Sequence, residues 1–160
     1  MTAKRIMVPF DGSRLAEAAL PEAFDQARRG ATLVLMRAAE APRALAADPT
    51  EMQVRVVREA EEYLAIVADR AREAGVENVE TTVWYGAPAE SIIEAVDAAG
   101  IDLIVMSSHG RSGLGRLVMG SVAEQVPRGT TASILLLRDR EAPVMTPLGE
   151  PAGSREIAHV

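Results

Sequence analysis

The sequence predicts an α/β fold: one open, doubly wound sheet of five parallel strands in the order 3-2-1-4-5, with helices on both faces. Three features of the 160 residues point there. Short apolar runs alternate with segments whose apolar residues recur every three or four positions, a switch between buried-strand and amphipathic-helix patterns. Gly and Pro, with Asp, Ser or Thr at helix starts, punctuate the changeovers. The first and fourth runs are apolar almost throughout, as strands covered on both faces are.

The first run, Arg5 to Phe10 (RIMVPF), ends at Asp11-Gly12-Ser13 and reads as a buried strand running into a turn. From Arg14 onward Ala16, Ala19, Leu20, Ala23, Phe24 and Ala27 line one helical face, with Ser13 as N-cap and Gly30 past the end. Residues 31 to 38 (ATLVLMRA) form the second strand, and a longer loop follows to Ala47. Asp48-Pro49-Thr50-Glu51 supplies an N-cap, a proline at the first helical position and an acid at the third. Met52, Val56, Ala60, Leu64, Val67 and Ala71 then mark the buried face of a helix that Gly75 closes. A third strand is expected at about 79 to 85 (VETTVWY), where Trp84 and Tyr85 read as core or rim packing. Pro88 opens a helix that buries Ile92, Ile93, Val96 and Ala99 before Gly100. Ile101 to Met106 is the fourth strand, with only Asp102 charged. The last helix, about 116 to 128, presents Val118, Val122 and Val126 and is cut short by Pro127, and the final strand runs from Ser133 to Leu137.

Right-handed crossovers turn this βαβαβαβαβ succession into an open, Rossmann-like parallel sheet. With the two most apolar strands as the central pair, the order becomes 3-2-1-4-5. A crevice then opens between the carboxyl ends of strands one and four, where the winding reverses and ligands bind. The chain places Asp11-Gly12-Ser13 and Ser107 to Gly115 at those two ends. Residues 139–160 hold Pro143, Pro147, Pro151, Gly149 and Gly153 with no periodic apolar face, and read as a flexible tail after a single domain of residues 1–138.

Composition removes whole classes of chemistry. With 48% hydrophobic and 25% charged residues the chain is of globular type. No apolar stretch nears the roughly 18 residues of a membrane span, no secretory signal is evident, and the cytoplasm is the expected compartment. Zero cysteines exclude disulfides, thiolate nucleophiles and zinc–thiolate sites, and only His109 and His159 offer imidazole. A net charge of -6 with 3% aromatics gives no footprint for nucleic acid. The basic residues are sixteen Arg and the single Lys4, which lies outside any glycine loop, so Lys-centred phosphate chemistry is excluded.

What remains is glycine. Gly110, Gly113, Gly115 and Gly120 are four of the 12 glycines and lie between a buried strand and a helix. Such a loop lets backbone amides approach a phosphate and adds the positive end of a helix, and Arg111 and Arg116 can add charge. There is no G-x-x-x-x-G-K-[ST], so this is not a P-loop, and no G-x-G-x-x-G follows the first strand, which argues against NAD. His109 has no neighbouring His or thiol to form a triad, and Ser107 and Ser108 lack a nucleophile elbow.

The segment resembles the universal stress protein family, whose ATP-binding members carry G-x-x-G, nine residues, then G-[ST] at this place. Here Gly110 is followed by RSGLGRLVM and then Gly120-Ser121, while Ser107 replaces the first glycine. The likeness runs from IMVPFDGS through DLIVMSSHGRSGLGRLVMGSVAEQV to ILLLR, residues 1 to about 138. It implies that Asp11 contacts the ribose of ATP with Pro9 beside it, that Ala38 meets the adenine through its backbone, and that Met106 and Ser107 lie against base and ribose. Gly110, Gly120, Ser121 and Val122 would receive the phosphates, and Asp11 is the carboxylate available to an ATP-bound Mg²⁺. At Ser107 the sequence leaves two outcomes open, a Cβ that crowds the ribose or a hydroxyl that replaces close approach with a hydrogen bond.

The resemblance implies a cytoplasmic ATP-binding stress-response module in which occupancy orders the 107–121 loop and so changes the surface offered to a protein partner. The alternatives are a slow ATPase or self-phosphorylating enzyme, and a nucleotide-free dimeric interaction module. An apolar edge strand Ser133 to Leu137 invites pairing, and the resemblance likewise implies a homodimer through that strand.

Overall fold

Five parallel strands lie in the order β3-β2-β1-β4-β5 in a computed structural model that describes residues 3–11, 14–40, 48–108 and 121–137. They are β1 (Arg5–Phe10), β2 (Thr32–Ala39), β3 (Asn78–Tyr85), β4 (Leu103–Ser107) and β5 (Ser133–Leu137). The helices are α1 (Arg14–Glu17), α2 (Leu20–Ala27), α3 (Pro49–Glu73), α4 (Pro88–Ala99) and α5 (Ser121–Gly129). The Ser13 cap, the loop up to Ala47, residues 109–120 and the tail expected over 139–160 lie outside the described residues.

The two faces of the sheet bury separate cores, because successive strand residues point to opposite sides. Ile6, Val8, Leu33 and Leu35 pack with Leu20, Ala23, Leu64 and Val67 of α2 and α3. Met7, Val34, Met36 and Ile104 pack with Ile92, Val96, Ala123 and Val126 of α4 and α5. β1 is buried from Ile6 to Phe10 and β4 from Ile104 to Ser107, the central pair that their apolar profiles predicted.

Three expectations are corrected. The helix expected as one piece from Arg14 breaks between Glu17 and Leu20, because Pro21 has no amide to give the Glu17 carbonyl and its ring crowds that carbonyl. The strand expected from Ile101 begins at Leu103. Gly100, in the left-handed conformation at φ +60°, ends α4 in a Schellman motif, with the Ile101 amide donating to Val96 O at 3.0 Å and the Gly100 amide to Asp97 O at 3.3 Å. Ile101 therefore belongs to the helix cap. Pro127 does not end α5, which runs two residues further to Gly129 with Val126 and Ala123 anchored in the core. On α3 the capping prediction holds: Asp48 Oδ1 accepts from the amides of Thr50 at 2.8 Å and Glu51 at 3.3 Å. Its first two apolar positions, Met52 and Val56, are only half-buried, and burial is complete from Ala60 onward at Leu64, Val67 and Ala71.

Candidate functional site

The amino ends of the strands are tied together. Asp102 Oδ2 accepts from the amides of Lys4 and Arg5, both at 2.9 Å, and these bonds hold its carboxyl below the usual carboxylate range. Arg5 Nε donates to Ala99 O at 2.7 Å and its Nη2 to Glu80 Oε2 at 2.6 Å. The carboxyl ends behave differently. β1 pairs with β2 along its whole length, from Arg5 opposite Thr32 to Phe10 opposite Arg37. With β4 it pairs only at Ile6–Leu103 and Met7–Ile104.

Pro9 explains the difference. The Arg5 carbonyl accepts from the Asp102 amide and the Lys4 carbonyl from the Thr32 amide, so odd-numbered residues of β1 turn their backbone groups toward β4 and even-numbered ones toward β2. Pro9 is therefore the residue that would next donate toward β4, and proline has no proton to donate. The ladder ends one step earlier, at the carboxyl side where the reversal of winding leads one to expect a crevice.

Four of the residues singled out by the sequence lie at the carboxyl ends of these two strands. Pro9 is buried in β1 and Asp11 follows the strand end, half-buried. Met106 and Ser107, 5% and 7% exposed, end β4, and Ser107 comes level with Leu137 of β5. Among the described residues no buried side-chain nitrogen or oxygen lacks a hydrogen-bond partner, so Ser107 is accommodated as a polar residue inside the sheet. Ala38, expected as the last residue of its strand, is the last but one of β2, opposite Trp84. Ala38, Met106 and Val122 share the core on the α4 and α5 face, and exposed Ser121 begins α5. Gly110 and Gly120 lie outside the described residues. Those described residues contain no group of three or more His, Asp or Glu arranged to hold a metal.

A second polar cluster, missed in the sequence, backs the site on the opposite face. Tyr63 donates to Glu17 Oε1 at 2.8 Å, and Arg70 Nη1 donates to Glu17 Oε2 at 2.9 Å. The Tyr63 ring meets Phe10 edge-on at 5.7 Å, and the Arg37 guanidinium lies 5.0 Å from the ring centre. Burial, and then the bond to Glu17, raise the Tyr63 phenol above its ordinary range. One clue was available: Tyr63 falls three residues after Ala60 and four before Val67, on the buried face of α3, where a phenol needs a polar partner.

The chain matches the universal stress protein family over residues 2–138. A universal stress protein of Staphylococcus haemolyticus is 31% identical over 147 residues, covering 89% of this chain and 89% of that protein. Among solved structures, the universal stress protein UspA from Lactobacillus plantarum superposes with a TM-score of 0.74 at 25% identity, covering 84% of this chain and 97% of the other. Two more distant structures share the fold and carry ligands. One, a universal stress protein in complex with cAMP, has a TM-score of 0.60 at 23% identity and covers 86% of this chain and 98% of its own. The other, from Arabidopsis thaliana with AMP bound, has a TM-score of 0.64 at 14% identity and covers 86% and 93%.

Proposed function

Because the chain belongs to the universal stress protein family, we propose that it is a cytoplasmic module that holds ATP with Mg²⁺ between the carboxyl ends of β1 and β4 and reports nucleotide state to a protein partner. The observation that carries this reading is the early end of the β1–β4 ladder at Met7–Ile104, with Asp11, Met106 and Ser107 just beyond it. Adenine nucleotides in two structures of the same fold support the ligand class.

In this reading the Asp11 carboxylate accepts hydrogen bonds from ribose hydroxyls and is available to the metal ion. Pro9 and Met106 pack beside the nucleoside, and the Ala38 backbone faces the adenine. Ser107 supplies a hydroxyl near the ribose where relatives of the ATP-binding type have glycine. Gly110, Gly120, the Ser121 hydroxyl and the Val122 amide, at the positive end of α5, receive the phosphates. ATP carries its own charge and reactive groups, and the chain's part is to bind and orient them.

The protein also pairs with a second copy through β5 in this proposal. β5 hydrogen-bonds to β4 on one side, and among the described residues no strand lies on its other side.

Calorimetric titration of nucleotide-stripped protein with ATP and Mg²⁺ tests the ligand. Saturable binding is expected, with affinity reduced at least about tenfold in Asp11→Ala, the scale of hydrogen bonds to a charged group, and lost in Gly120→Val. No binding at millimolar ATP would leave the nucleotide-free dimeric module as the better account.

A further inference from the structure

The β2–β3 side of the carboxyl rim is closed where the β1–β4 side is open. β2 and β3 stay in register to Ala39 opposite Tyr85, and the Gly86 amide adds a bond to Ala39 O at 3.0 Å. Along this rim Trp84 is level with Ala38. One strand over, β1 ends at Phe10 opposite Arg37, and Asp11 is the next residue of the chain beyond that end. Trp84 and Ala38 both pack toward the α4 and α5 core. The rim of the sheet thus sets an indole beside a methyl, with the carboxylate-bearing residue Asp11 just past the end of the next strand.

Adjacent strands lie about 4.8 Å apart, so Trp84 stands about one strand spacing from Ala38 and about two from the end of β1 that Asp11 follows. A ligand lying across this rim would meet an apolar methyl, an aromatic ring to one side and an acceptor for hydroxyls to the other. A nucleoside has the same sequence of chemistry, a flat ring joined to a diol. We propose that Trp84 is a base-contacting residue of the nucleotide site: with the ribose on Asp11 and the base over Ala38, the indole bounds the far edge of the base. This inference rests on the nucleotide reading above and adds to it a residue on β3 that fixes how the base lies.

Trp84 is the one tryptophan of the chain, so it reports on itself. Adding AMP or ATP should change the tryptophan emission saturably, with the midpoint found by calorimetry. Trp84→Ala should weaken ATP binding by roughly fivefold to tenfold, the scale of losing an edge-on aromatic contact, while Trp84→Phe keeps most of the affinity. Tyr85→Ala is the control, since Tyr85 has the opposite parity and is 48% exposed. If wild type binds ATP with no change in emission, and Trp84→Ala binds as tightly, the base contact is overturned while the nucleotide site stands. If wild type binds no nucleotide by calorimetry, both fall together.

Discussion

Tyr63 shows how one side chain on α3 braces the end of β1 without belonging to the crevice. Its ring supports Phe10, the residue before Asp11, and its hydroxyl is fixed by Glu17, which Arg70 holds from the other side. The phenol stays protonated in the fold to higher pH than in the unfolded chain, where it titrates near pH 10. Its contribution is therefore complete below about pH 10 and is lost as pH rises from there toward the raised folded value. Tyr63→Phe keeps the edge-on contact and removes the hydroxyl. We expect it to lower stability at neutral pH by about 1 kcal/mol, the net worth of one hydrogen bond, and to flatten the alkaline loss seen in wild type. Denaturant midpoints measured from pH 7 to 11 check this, and an equally steep alkaline loss in both proteins would refute it.

Whole elements were legible where one periodicity dominated, and blurred where a single residue acted against it. The Asp48–Pro49 start of α3 could be read directly, because a cap acts on amides two and three residues away. The break at Pro21 was hidden by an apolar face that continues unbroken from Ala16 to Ala27, so that the face suggested one helix and the missing amide made two. Gly129 gave no signal at all: a Cβ there would collide with Ile93 Cδ1, a constraint set by the meeting of α4 and α5. β5 was legible both in place and in exposure, with Leu136 37% exposed on the edge strand. If two copies pair there, a charge at Leu136 must be desolvated at the interface, which costs far more than leaving it in water. Leu136→Glu should therefore turn a dimer into a monomer by light scattering, without loss of helix content. A dimer of undiminished stability would place the contact elsewhere.

At the scale of the whole molecule, the strand order followed from the alternation of runs and the apolar profiles of β1 and β4. The side chains around the crevice were harder to read. That Pro9 turns toward β4 and not β2, and that Trp84 shares a row with Ala38, depend on hydrogen-bond register, which no local pattern encodes. The resulting molecule is asymmetric along its strands. Arg5, Glu80 and Asp102 bind the amino ends together, while the carboxyl ends of β1 and β4 part after Met7 and Ile104. A ligand in the crevice should accordingly stiffen one end of the sheet and leave the other as it was. Amide hydrogen exchange with and without saturating ATP and Mg²⁺ reads this most directly. Slower exchange is expected in peptides spanning 8–11 and 105–122, with none at the Arg5–Glu80 end. Exchange unchanged in both of those peptides, or slowed only at the amino ends, would contradict a nucleotide site between β1 and β4.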